Sequence, residues 1–133
     1  MAVGSASANA ADPDEDPKLA FATGQQMCEC AAFLWFAADH VGAARTATAE
    51  AIRDKARAWE LAGQLLVSLG STLPPAQVTK GIIDAKKNQL RAAFEQRGQD
   101  ALAVALAVFQ ADCEPLAPMQ AQLIDQMRMG PPK

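Results

Sequence analysis

The chain is punctuated by helix-ending signals set between long alanine-rich stretches, and this punctuation restricts the fold more than any other feature. Gly42, the segment Gly70-Ser-Thr-Leu-Pro-Pro-Ala-Gln77 and Gly98 interrupt apolar patterns of period 3.6. Glycine suits the position just past a helix end, and proline suits the first helical turn, where its missing N–H leaves nothing unpaired. Four amphipathic helices are expected: about Lys18–Val41, about Ala44–Leu69, one with Pro74 and Pro75 in its first turn that runs to about Arg97, and one starting near Asp100. Pro115 and Pro118 should break the last of these, with a short helix resuming over Met119–Met129. Short turns between long amphipathic segments predict an all-α fold, an up-down four-helix bundle with a short extra C-terminal helix. Tyrosine is absent and alanine abundant, which argues against a sheet. No period of 20–50 residues marks a repeat array.

In the first helix Ala20, Met27, Ala31, Leu34 and Ala38 form the expected core stripe, opposite Lys18, Gln25, Gln26, Glu29 and His40. Gly24 weakens the helix locally and permits either a close neighbour or a break. In the second helix Ile52, Ala56, Trp59, Ala62, Leu66 and Leu69 should face inward, and in the third Val78, Ile82, Ile83, Leu90 and Phe94. Ser71 or Thr72 is the expected cap of the third helix. The fourth carries Ala-Leu-Ala-Val-Ala-Leu-Ala-Val-Phe-Gln-Ala over 101–111 without a charge, which predicts burial on most sides.

Residues 1–17 read as a separate segment, a signal-peptide remnant followed by a disordered acidic tail, with 18–130 as one helical domain. Ala8-Asn9-Ala10 resembles the small-x-small cleavage site of an export leader, and the mature chain is expected from Ala11. A periplasmic or secreted location follows, where disulfides persist. The Asp-rich stretch before Pro17 lacks the glycine and closing glutamate of a calcium loop. Four of the 15 acidic residues fall here, leaving 11 against 12 basic residues in the body. That balance gives nucleic-acid binding no electrostatic support. No uninterrupted run approaches the 18 or so apolar residues that mark a membrane span, so none is expected.

The stretch Cys28-Glu-Cys-Ala-Ala-Phe-Leu-Trp-Phe-Ala-Ala-Asp-His40 holds two of the three cysteines and the single histidine. In an up-down arrangement the first and fourth helices are antiparallel neighbours, which brings Cys113 beside the first half of the first helix. Residues two apart on a helix point about 200° apart, so only one of Cys28 and Cys30 can face Cys113. Cys30–Cys113 is favoured for its less charged surroundings, with Cys28–Cys113 the alternative. Cys-x-Cys inside a helix is not the Cys-x-x-Cys of thiol oxidoreductases.

Met27, Cys28 and Cys30, with Met119, Met127 or Met129, form a possible soft-metal set suited to Cu(I). No cofactor is otherwise expected. His40, at a helix end beside Asp39, is explained by the helix dipole. No nucleophile motif, zinc motif, phosphate loop or dinucleotide fingerprint occurs, so catalysis is not expected.

Phe33 and Phe36 project toward the side of Gln26, Glu29 and His40. Either the C-terminal segment covers that side, or Phe33, Phe36 and His40 form an interaction surface for another protein or a second copy of the chain. The leading expectation is a non-catalytic interaction protein: an accessory subunit, an inhibitor or an immunity protein. A copper carrier and a binder of small apolar ligands are the alternatives.

Overall fold

The computed structural model describes residues 16–129, and every regular element among them is helical. The expected cleavage site near Ala10 and most of the acidic tail lie outside the described residues. The helices are α1 (Pro17–Val41), α2 (Thr46–Gly70), α3 (Pro75–Arg97), α4 (Gln99–Asp112) and α5 (Ala117–Met129). Short 3₁₀ turns, Gly42–Arg45 and Glu114–Leu116, precede α2 and α5.

Local chemistry accounts for most of the boundaries. Asp16 caps α1, its Oδ1 accepting from the N–H groups of Lys18 (3.0 Å) and Leu19 (3.3 Å), and Pro17 fills the first helical position. At the far end Gly42 takes a positive φ of 39° and its N–H donates to Ala38. Gly98, at φ 61°, closes α3 in the same manner through Phe94.

Three boundaries depart from expectation. The 3₁₀ turn delays α2 from Ala44 to Thr46. Ser71 does not cap α3; its hydroxyl accepts from Leu73 N–H (3.1 Å) within the turn, while the Pro74 carbonyl receives the N–H groups of Gln77 and Val78. Only Pro115 lies at the late break. Pro118 fits the first turn of α5, where it costs no hydrogen bond.

The core stripe of α1 is buried as expected, from Ala20 through Met27, Ala31 and Leu34 to Ala38. It meets Trp59, Ala62, Leu66 and Val67 of α2 and Ile83 of α3. α1 and α2 approach unusually closely because glycine faces glycine. A Cβ on Gly24 would stand 2.7 Å from the Val67 nitrogen and 2.8 Å from the Gly63 carbonyl oxygen. One on Gly63 would meet Cys28 Sγ at 2.7 Å. Gly24 is thus the site of a close neighbour, without a break in the helix.

Trp35 lies at the margin of this interface, donating from Nε1 to Glu60 Oε1 (2.9 Å) with Arg57 over its ring. The ion pairs on α2 and α3 lie at the surface, as does the Lys87–Asp39 pair between α3 and α1 (3.5 Å). Such exposed pairs contribute little to stability.

The fourth helix overturns an expectation. Ala101 is its one buried residue, whereas Val104 is 51%, Leu106 47% and Val108 45% exposed. Freedom from charge reflects two apolar faces, of which only one is covered. Leu69 of α2, expected inside, is likewise exposed. By length and composition the segment Gln99–Arg128 would also suffice to cross a membrane, with 6% of its most apolar stretch buried. Counting uninterrupted apolar residues misses it, because Gln110, Asp112 and Glu114 break the run.

Candidate functional site

The three cysteines separate as helical geometry requires. Cys30 is bonded to Cys113, with Cα atoms 5.9 Å apart, and joins α1 to the end of α4. Cys28 points the other way, buried and free between Gly63 of α2 and Thr79 of α3. Burial pushes its thiol pKa up to about 11. The neighbouring Thr79 hydroxyl opposes that rise, yet it finds no partner at good hydrogen-bond geometry. A thiol held neutral in this way is a poor nucleophile and a poor soft-metal ligand.

The proposed soft-metal residues are therefore not brought together as ligands. Cys30 has spent its sulfur on the disulfide, and Met27 and Cys28 are fully buried. Among the described residues no three His, Cys, Asp or Glu side chains gather at a spacing that could hold a metal ion.

Phe33, Phe36 and His40 do not form the exposed aromatic surface considered from sequence. Phe33 is half-buried against Phe109 of α4, with ring centroids 5.0 Å apart. Phe36 is buried beside Phe94 of α3. His40 is exposed at the end of α1, its ring edge-on to Phe94 at 4.8 Å. The cover over Phe33 and Phe36 comes from Phe109 of α4 and Phe94 of α3, an arrangement that differs from both of those considered from sequence.

These aromatic contacts frame a feature that sequence reasoning did not locate. A cleft of about 190 Å³ runs between α1, α3 and α4. Cys30 and Phe33 of α1 form its floor, Leu90 and Ala93 its α3 wall, and Ala101, Val104, Ala105, Val108 and Phe109 its α4 wall. The space has a packing origin. Phe33 and Phe109 fill the gap near the disulfide and Phe94 packs on Phe36, while the short side chains of Ala93, Ala101 and Ala105 leave the intervening volume unfilled. Small residues on two helices that flank a pair of bulky contacts were the available signal.

The polar groups of the cleft are few and unevenly placed. Gln26 Nε2 donates to the Asp112 carbonyl (2.8 Å), which fastens the disulfide end. Glu29 and Asp112 lie toward that end, whereas Arg97, on the last turn of α3, lies with Ala101 at the other. Lys86 lines the α3 wall. Neither Arg97 nor Lys86 is ion-paired among the described residues. The arrangement offers a largely apolar trough between α1, α3 and α4 with Arg97 at one end.

No protein-family model, curated protein or solved structure matches the chain.

Proposed function

We propose that this chain is a non-catalytic binding protein whose cleft takes a small amphipathic carboxylate with a single acyl chain. The observation that carries this reading is the cleft itself: alanine, valine, leucine and phenylalanine walls with Arg97, which joins no ion pair among the described residues, at one end. A water-sized site needs about 10–15 Å³, so 190 Å³ accommodates about a dozen non-hydrogen atoms. A medium-chain fatty acid such as decanoate has that size. Its chain would lie along Val104, Val108 and Phe109, and its carboxylate would meet the Arg97 guanidinium.

The helices are read as an up-down bundle with α5 added against α2. Opposed numbering supports this: Gly24 neighbours Val67 and Trp35 bonds Glu60, while Phe33 neighbours Phe109 and Cys30 bonds Cys113. A disulfide in so small a chain supports an exported setting.

The rival readings have less to rest on. An accessory subunit, inhibitor or immunity protein acting through Phe33, Phe36 and His40 would present all three rings, whereas Phe33 and Phe36 pack against Phe109 and Phe94 and His40 alone is exposed. A copper carrier using the free cysteine and methionines would need an accessible thiol, and Cys28 and Met27 are fully buried.

The test is a titration of the oxidised, delipidated protein with decanoate, followed through Trp59, whose ring lies 6.3 Å from that of Phe109. Saturable one-to-one binding with a Kd on the order of 10–100 µM is expected for a ligand of this size. Absence of saturation into the millimolar range would remove the reading.

A further inference from the structure

We propose that the Cys30–Cys113 bond is a redox latch: oxidation closes α4 over the cleft, and reduction lets α4 swing away and dismantles the binding site. What the cleft holds rests on the ligand reading; how it is closed stands on separate contacts.

α4 supplies one whole wall of the cleft, through Ala101, Val104, Ala105, Val108 and Phe109. It is nevertheless held by little. Of its 14 residues Ala101 alone is buried, and among the described residues no ion pair joins it to another helix. α5, which follows it, has no fully buried residue among those described. At the start of α4 the chain turns through Gly98, where an added Cβ would meet nothing within 4 Å. Backbone without packed neighbours can absorb a rotation, and Gly98 is the hinge.

The restraints gather at the opposite end. There the disulfide ties Cys113 to α1, Gln26 Nε2 donates to the Asp112 carbonyl, and Phe109 packs on Phe33. A solvent-exposed hydrogen bond and one half-buried aromatic pair are each modest contacts. Neither weighs much against the conformational freedom that the segment regains on release. The covalent bond therefore decides whether the α4 wall is present.

Closure is a two-electron oxidation. The thiols of Cys30 and Cys113 give two protons and two electrons to an external disulfide, which leaves as two thiols while the Sγ–Sγ bond forms. A dithiol runs the step backwards and ends as a cyclic disulfide. Both cysteines line the cleft, which gives such a reagent its way in. Cys28, turned toward Gly63 of α2, is not an internal exchange partner.

The test compares the native chain oxidised, reduced with dithiothreitol, and reoxidised with glutathione disulfide. Hydrogen exchange of the ligand-free protein is read by mass spectrometry, and decanoate affinity is measured on the same samples. On reduction the amides of α4 and α5 should exchange roughly tenfold faster or more, with those of α1, α2 and α3 little changed. If α4 is then docked in about a tenth of the molecules, decanoate affinity falls roughly tenfold. Reoxidation should restore both values. Unchanged exchange in α4, exchange rising alike in every helix, or equal decanoate affinity in the oxidised and reduced chains would overturn the latch. Selective opening of α4 in a chain whose oxidised form takes no decanoate would uphold the latch and remove the ligand reading alone.

Discussion

Replacing Gly24 by alanine should destabilise the protein although alanine is the better helix former. The added methyl carbon would stand 2.7 Å from the Val67 nitrogen and 2.8 Å from the Gly63 oxygen, both backbone atoms of α2. Ordinary contact begins near 3.4 Å, so α1 and α2 must separate by roughly 0.6 Å along a shared interface. No rotamer change relieves such a clash, because neither partner is a side chain. Overpacking of this kind costs about 1–3 kcal/mol. Loss of dispersion contacts at Met27, Leu66 and Val67 adds to it. The intrinsic preference for alanine returns about 1 kcal/mol.

A net loss of about 2 kcal/mol is expected for Gly24→Ala. Gly81→Ala supplies the control: a Cβ there meets nothing within 4 Å, so only the helix-propensity gain applies. That variant should be stabilised by about 0.5–1 kcal/mol. Urea unfolding of the oxidised proteins, read by fluorescence of Trp35 and Trp59, measures both. With a slope of about 1–3 kcal/mol per molar, the Gly24→Ala midpoint should fall by about 1 M and the Gly81→Ala midpoint should rise. If the two substitutions shift the midpoint equally and in the same direction, the close approach of α1 and α2 is refuted.

The Cys30→Ser/Cys113→Ser double variant, which opens a loop spanning 83 positions, should lose about 4 kcal/mol by the chain-entropy account, checked by the same urea unfolding. Because α4 buries little else, its amides should also lose hydrogen-exchange protection before those of α1 and α2. Cys28 gives a pH dependence with a definite sign. Its folded pKa is raised to about 11 from 9.0, so the unfolded chain gives up its proton first and stability falls as pH climbs from 9 through 11. The loss approaches about 2–3 kcal/mol across that window and should be absent in Cys28→Ala, as thermal unfolding at a series of pH values would reveal. For the same reason iodoacetamide at pH 8 should label Cys28 about a hundredfold more slowly in the folded protein than in urea, and equal rates would contradict its burial.

What could be read from the chain alone was local. Gly42 and Gly98 mark helix ends through their own backbone chemistry, and the structure puts the ends where those residues stand. The α1 stripe from Ala20 to Ala38 and the opposed directions of Cys28 and Cys30 follow from helical periodicity, which no neighbour alters. What was not legible depends on which element lies opposite which. Phe33 and Phe36 look exposed until Phe109 and Phe94 are brought over them. The α4 run looks buried because apolar content does not say how many sides are covered. Gly63 passes unnoticed until it faces Gly24, and the cleft exists because three alanines on α3 and α4 lie between larger contacts.

The account turns on whether the cleft holds the ligand, and comparing decanoate binding by the native chain, Arg97→Ala and Ala105→Trp tests it most directly. Ala105 lines the cleft, and an indole there would occupy its volume. Calorimetric titration should give one site for the native chain, an affinity weakened roughly tenfold by loss of the Arg97 charge, and no detectable binding in Ala105→Trp. Native-like binding by a folded Ala105→Trp protein, or none by the native chain, would contradict it.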